Sequence, residues 1–492
     1  MLISVSNLTF AYDGSYDNVF EDVSLQFDTS WRLGFIGRNG RGKTTFLKLL
    51  MGEHEYRGSI SSPVDFLYFP FEVGDISRTT SEIIAGIAPE VMEWELEREL
   101  SLLEVASEVL TRPFSTLSNG ERTKALLAAL FLRENSFLLI DEPTNHLDAA
   151  ARETVSRYLK RKEGFLLVSH DRALLDSCVD HIVSINRANI EIQRGNFSTW
   201  QHNRELRDSF ELAENERLEK DIARLDAAAK RAAGWSDKTE KGKYNQRNSG
   251  LRVDRGYIGH KSAKMMKRTK STQRRNERAA EEKSGLLRNL ETAEPLIIRP
   301  LDHHAPRLAE LEDIAVTYDG HRVFSPTSFC IENGTRLALS GKNGSGKSSI
   351  LKLLCGEDIP HSGQIRLASG LKISYVPQDT AGLKGNLRDY AEEYGIDESL
   401  FKSILRKLDF SRVQFEKELE DFSGGQKKKV LLARSLCEQA HIYVWDEPLN
   451  FIDVLSRIQI EELLLEYKPT MIFVEHDSTF TNKVATAHIR LE

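Results

Sequence analysis

A chain of 492 residues, 40 % hydrophobic and 29 % charged, exceeds what one hydrophobic core usually supports and reads as two or three domains of ordinary size. It holds no apolar run near the roughly 18 residues that a membrane-spanning helix needs, and its first residues, MLISVSNLTF, lack a basic region ahead of a long apolar one, which points to the cytosol rather than to a bilayer or secretion. The formal charge of −7 is unevenly placed: residues 201–290 hold 23 Lys/Arg and 14 Asp/Glu, against 44 and 60 in the remainder.

Along the first 200 residues the elements alternate between apolar runs and turn-rich loops. GRNGRGKTT (37–45) follows the apolar LGFI and opens an apolar-periodic segment, FLKLL; this strand, loop and helix order is that of a phosphate-binding loop. Gly37, Asn39, Gly40 and Gly42 let backbone amides curl around phosphates, Lys43 reaches the β- and γ-phosphates, and Thr44, next to Thr45, offers a hydroxyl to Mg²⁺. FLLIDEP (137–143) reads as a buried strand ending in paired carboxylates, with Asp141 placed for Mg²⁺ and Glu142 for polarising a water. LLVSHD then puts His170 at the C-terminal end of a further strand, the ligand edge of a parallel sheet. The four cysteines, Cys178, Cys330, Cys355 and Cys437, show no metal-ligand spacing and are expected to be small reduced core residues.

From 201 to about 233 Leu218, Ile222, Leu225, Ala229 and Ala232 recur at spacings of four and three, and from about 262 to 291 Ala280, Leu287 and Leu290 suggest a second seam, ended by Pro295 and Pro300. This pattern predicts two long antiparallel helices, about 50 Å each, joined by a tip at about 236–261. Residues 241–268 contain nine Lys or Arg and one carboxylate, Asp254, the footprint of a polyanion binder. Lys241, Lys243, Arg247, Arg252, Arg255, Lys261 and Lys264 are the candidate phosphate contacts, and Trp235, Tyr244, Tyr257 and His260 could stack on unpaired bases.

After residue 300 the first series repeats. GKNGSGKSS (341–349) supplies Gly341, Asn343, Gly344, Gly346, Lys347, Ser348 and Ser349; IYVWDEP supplies Asp446 and Glu447; IFVEHD supplies His476. Matched positions are displaced almost uniformly, Tyr12 to Tyr318 by 306, Lys43 to Lys347 by 304 and Glu142 to Glu447 by 305, so the module is duplicated. The expected organisation is a first module over 1–200, a linker over 201–300 and a second module over 301–492.

LSNGE (117–121) and FSGGQ (422–426), each about twenty residues before its acidic strand, resemble the signature of the ATP-binding cassette superfamily. The resemblance implies two α/β phosphate-loop domains, each a mixed sheet with a helical subdomain, whose signatures close over ATP held by the opposite half. One composite site would combine Lys43, Thr44, Asp141, Glu142 and His170 with Ser423, Gly425 and Gln426; the other would combine Lys347, Ser348, Gln378, Asp446, Glu447 and His476 with Ser118, Gly120 and Glu121. Tyr12 and Tyr318, in FAYDG and VTYDG, look like the aromatic residues that stack on adenine. Two departures stand out. Phe71 occupies the place of Gln378, so either Glu72 substitutes or the first site is slower; and Asn119 replaces a signature glycine, tolerable if the position needs positive φ.

Two cassettes joined by a long helical linker resemble the ABC-F family of ribosome-associated ATPases. WELEREL, RPFSTLSNGE, ELAENE, GYIGHKSAKMMKR and WDEPLNFID are similar to its Lsa-type antibiotic-resistance branch. The resemblance implies ATP hydrolysis with Mg²⁺, a monomer containing an intramolecular pair of cassettes, and a partner that is the ribosome, with its large-subunit rRNA and P-site tRNA, rather than DNA or membrane. It also implies protection against peptidyl-transferase-centre drugs: lincosamides, streptogramins A and pleuromutilins. A housekeeping translation factor, a DNA-acting cassette ATPase and a permease-associated subunit are the alternatives.

Overall fold

The computed structural model describes residues 1–12, 18–145, 147–186, 189–211, 295–318 and 321–491, with scattered positions between 213 and 275. Residues 1–198 together with 293–492 cluster as one compact unit, and 199–292 as another.

In the first half the strands are β1 (Leu2–Phe10), β2 (Phe20–Asp28), β3 (Arg32–Ile36), β4 (Arg57–Ser61), β5 (Asp65–Phe69), β6 (Ser136–Asp141), β7 (Phe165–Val168), β8 (His181–Ile185) and β9 (Ile190–Arg194). A six-stranded sheet runs β5-β6-β7-β3-β8-β9, parallel except for the β8–β9 pair, and a three-stranded antiparallel sheet runs β2-β1-β4. FLLI of β6 and FLLV of β7 are buried without interruption, as a parallel sheet covered on both faces requires. Phe27, Phe35, Phe46 and Phe137 fill the space between the two sheets.

The second half repeats the plan with β10 (Arg307–Tyr318), β11 (His321–Arg322), β12 (Thr327–Glu332), β13 (Arg336–Ser340), β14 (His361–Leu367), β15 (Ile373–Val376), β16 (Ile442–Asp446), β17 (Met471–Val474) and β18 (Ala487–Arg490). Its parallel sheet is ordered β15-β16-β17-β13-β18, and β10 is flanked by β11, β12 and β14. Fully buried Trp445 sits in this core with its indole N–H donated to Ser435 Oγ at 3.0 Å, which satisfies the polar end of a side chain that could not otherwise be buried cheaply. Leu296 and Ile298 are buried in the same apolar cluster, and Lys407 Nζ donates to Pro295 O at 2.7 Å.

Cys178 is buried, but Cys330 is exposed and Cys355 and Cys437 are half-buried, so a uniform core role for the cysteines does not hold. Alternation along β12, an antiparallel strand with one wet face, leaves Cys330 outward. Among linker residues 201–211 is helical, as are His260 and Lys264, both exposed. Lys241, Lys243, Tyr244, Arg247, Arg252, Arg255, Tyr257 and Lys261 lie outside the described residues, as does most of the expected helical pair.

Candidate functional site

Both phosphate loops leave the C-terminal ends of central strands, β3 and β13, and enter helices Lys43–Leu50 and Lys347–Leu354. Gly42 (φ 89°) and Gly346 (φ 79°) cap those helices in the left-handed region. A Cβ on Gly42 would lie 2.6 Å from Val19 Cγ1, and one on Gly346 2.7 Å from Phe324, so both conformation and space demand glycine. Lys43 Nζ donates to the carbonyls of Gly37 (2.8 Å) and Arg38 (3.2 Å), and Lys347 Nζ to those of Gly341 (2.9 Å) and Lys342 (2.8 Å). Each ammonium is thus held over its own loop, and burial lowers the pKa of both lysines against the pull of the nearby carboxylates.

The parallel register brings the remaining groups to the same edge. Asp141 pairs with Val168 across β6–β7, and Asp446 with Val474 across β16–β17, so the acidic pairs stand beside the histidines that follow β7 and β17. Glu142 and Glu447 both have positive φ, 50° and 46°, a conformation that costs a non-glycine residue about 1–2 kcal/mol. Their amides are fixed to Val168 O (2.9 Å) and Val474 O (3.0 Å), so the sheet maintains the strained turn that aims each carboxylate away from its strand. Thr44 Oγ1 donates to Asp141 Oδ2 at 2.8 Å, and Tyr68 OH reaches the same oxygen at 3.1 Å.

The two glutamates differ. His170 Nε2 lies 3.4 Å from Glu142 Oε1, and His476 Nε2 3.3 Å from Glu447 Oε1. Burial and then Asp141 push the Glu142 carboxyl well up, while burial, Lys43 and Arg457 push His170 well down and leave it neutral. Burial also acts on Glu447, but there it is outweighed by the hydrogen bond and charge of His476 and by hydrogen bonds from Gln378 and Asn450, which bring the group to about 2. Asn450 Nδ2 reaches Glu447 Oε2 at 2.5 Å. Phe71, at the place of Gln378, is 43 % exposed and has no donor to offer.

One cavity of about 500 Å³ is lined by Tyr12, Asn39, Gly40, Gly42, Lys43, Thr44, Thr45, Asp141, Glu142 and His170 of the first half and by Ser423, Gly424, Gly425 and Phe451 of the second. A second, of about 660 Å³, is lined by Tyr318, Asn343, Gly344, Gly346, Lys347, Ser348, Ser349, Gln378, Glu447 and His476 with Asn119, Leu147 and Arg152 of the first half. Contacts across the seam are direct: Asn39 Nδ2 donates to Phe451 O at 2.6 Å, and Arg41 NH2 to Asp409 Oδ1 at 3.1 Å. Tyr12 OH meets Thr45 Oγ1 at 2.7 Å and Tyr318 OH meets Ser349 Oγ at 3.0 Å, so each half-exposed ring stands at the base of its own phosphate loop.

Not every expected residue faces these cavities. Ser118, Gly120 and Glu121 line a neighbouring hollow of about 480 Å³ that shares Asn119 and Asn343 with the second cavity. Ser118 Oγ accepts from Glu121 N and Ser423 Oγ from Gln426 N, so both serines cap their helices, while Glu121 is paired with Arg112 at 3.3 Å. Neither Phe71 nor Glu72 lines the first cavity. Asn119 is the first residue of helix Asn119–Phe131 and not a positive-φ position, so its tolerance rests on the exposed helix start rather than on left-handed backbone. Asn450, Phe451 and Lys428 line the second cavity and escaped the sequence reading. Asn450 could have been found, because Asn145 repeats it; Lys428 has Thr123 as its counterpart and left no trace.

The profile of the family described as ABC transporter matches residues 20–145 and 324–450. The chain belongs to that family. These ATP-binding cassettes bind and hydrolyse ATP, and two of them stand in tandem. The ribosome protection protein VmlR of Bacillus subtilis is 27 % identical over 99 % of this chain and 86 % of its own length. The energy-dependent translational throttle protein EttA of Haemophilus influenzae is 24 % identical over 95 % of this chain and 88 % of its own. The fold is shared with an archaeal ribosome recycling factor, aABCE1, crystallised with the stalk protein aP1, at a TM-score of 0.61 and 20 % identity, covering 94 % of this chain and 83 % of that one.

Proposed function

We propose that this cassette ATPase is a cytoplasmic ribosome-binding protein that uses ATP to close its two halves and its linker to protect the peptidyl-transferase centre from antibiotics. The observation that carries the ATP-driven part is the shared cavity: Lys43 and Glu142 of one cassette face Ser423 and Gly425 of the other. A ligand moves an equilibrium only if it binds the two states differently, and ATP spanning both halves favours the closed one. Glu142 and Glu447 polarise the attacking water, His170 and His476 face the γ-phosphate, and Ser118, Gly120, Glu121, Ser423, Gly425 and Gln426 cover it. Magnesium fits the site: Thr44 and Asp141 already touch, and Asp446 Oδ1 is buried without a hydrogen-bond partner among the described residues. Thr44, Asp141, Ser348, Gln378 and Asp446 would hold the ion, partly through water, and it would neutralise phosphate charge.

The ribosomal destination is supported by the basic linker sequence and by the likeness to VmlR, a protein named for ribosome protection. In this reading the closed protein occupies the tRNA exit site, the tip at about 236–261 presses on P-site tRNA or rRNA, and drugs of the lincosamide, streptogramin A and pleuromutilin types are displaced. Hydrolysis reopens the clamp. The name of EttA, a translational throttle, favours a second reading, a translation factor without a drug role. The decisive experiment combines Glu142→Gln with Glu447→Gln and sediments the protein with ribosomes in ATP. Cosedimentation is expected, and its absence would remove both ribosomal readings. Drug susceptibility on deletion then separates them: increased susceptibility supports protection, whereas a growth defect with unchanged susceptibility supports the throttle.

A further inference from the structure

The two halves differ where the chain leaves each histidine. After His170 comes Asp171 and then Arg172; after His476 comes Asp477 and then Ser478. Arg172 is 2 % exposed and crosses to the other cassette. Its NH2 lies 2.8 Å from Glu461 Oε2 and 3.5 Å from Asp477 Oδ2, and nothing at Ser478 returns the contact. Asp477 is the residue next to His476 and caps the helix Ser478–Val484 by accepting from Phe480 N at 3.0 Å. It also accepts from Arg457 NH1 at 3.3 Å, and Arg457 in turn donates to Leu449 O and Ile452 O, both at 2.9 Å. Those carbonyls bracket Asn450, which holds Glu447, and Phe451, which lines both cavities. In the first half Arg152 donates to Leu147 O at 3.0 Å and stands 3.6 Å from Asp171, the same local frame, but among the described residues no cation of the partner cassette pairs with Asp171.

From this buried connection we infer that Arg172 is a positioning residue: the first cassette uses it to set the histidine loop and catalytic glutamate of the second site, and Ser478, its counterpart, cannot do the same for the first. Removing its charge leaves Glu461 with Lys483, 2.7 Å away and half exposed, and Asp477 with Arg457. The second site then keeps its ligands but loses the tie that sets them. The connection is an ion pair and not a hydrogen bond, since Arg172 Nε and NH2 and Glu461 Oε2 are all buried without a hydrogen-bond partner among the described residues, so the arrangement is not a closed lock and can change when nucleotide draws the cassettes together.

The test measures steady-state ATP turnover of the full chain with each site isolated: Glu142→Gln leaves the second site, and Glu447→Gln leaves the first. Adding Arg172→Met is expected to lower kcat of the second site by about tenfold with KM nearly unchanged, and that of the first by less than about threefold. Arg172→Lys should restore much of the loss, because the charge is kept though the planar fork is not. Glu461→Gln, which leaves Arg172 in place, should lower the second site selectively and guards against a misfolded Met variant. Equal losses at both sites, or no loss at either, would overturn the inference. The double Glu→Gln variant must be inactive; residual hydrolysis there would overturn the assignment of the two glutamates and the coupling with it.

Discussion

Three glycines of the two signatures look interchangeable in the sequence, but their surroundings separate them. A Cβ on Gly425 would lie 2.5 Å from Phe451 O and 3.0 Å from Asn39 Nδ2, whereas one on Gly424 or Gly120 would meet its neighbour at an ordinary 3.6 Å. Gly425→Ala must therefore push the Phe451 turn off the opposite phosphate loop, and a displacement of that kind lowers turnover by roughly 10–100-fold. Gly424→Ala should stay within about threefold of the parent, since it needs no neighbour to move. Purified variants compared for ATP hydrolysis check this directly. The sequence made the phosphate loops and acidic pairs plain because their chemistry constrains consecutive residues. It was silent on Lys428, whose amine donates to Pro377 O at 2.9 Å, because that role depends on two chain segments meeting.

At the scale of elements, the start of helix Val454–Tyr467 is tied to the signature helix Gly424–Cys437 through Lys429 Nζ and Asp453 Oδ2, 2.8 Å apart and almost fully buried. Breaking a buried pair by removing one partner costs about 3–5 kcal/mol because the other charge is stranded. Lys429→Met should lose stability on that scale in denaturant titrations. Burial would raise the Asp453 carboxyl, but Lys429 and the Ser456 amide outweigh it and hold it far below the usual range. A carboxyl with a depressed folded pKa stabilises above its unfolded pKa and loses that contribution as pH falls through the folded value. The gap between parent and variant should therefore narrow as pH falls, and most steeply below about pH 4, near the ordinary carboxylate pKa. A gap unchanged at pH 3 would show that ionisation of Asp453 is not its source. Strand placement was legible from apolar runs such as FLLI and MIFV, yet this tie was not, since a lysine in a helix reads as solvated until its partner is seen.

Across the whole molecule the duplication is imperfect in one direction. Glu447 is held ionised by His476, Gln378 and Asn450, while Glu142 stands beside a neutral His170 with Phe71 turned outward. A base must be ionised to polarise water. Glu447→Gln alone should accordingly remove most ATP turnover, more than about tenfold, and Glu142→Gln alone considerably less. Equal losses measured on purified single variants would mean that nucleotide binding equalises the two settings. Phe71 is the place in the sequence where such an inequality is expected, unless Glu72 substitutes; its size depends on desolvation, which no motif records.

Leu296 and Ile298 bear on how such proteins are recombined. They lie between the two prolines that mark the end of the helical pattern, yet they are buried with Phe401, Leu405 and Tyr443 in the second cassette. A graft that exchanged linkers between relatives at residue 300 would carry away two plugs that belong to the recipient's core and leave apolar slots behind them. The natural splice lies ahead of Pro295, where packing, rather than periodicity, marks the seam between modules.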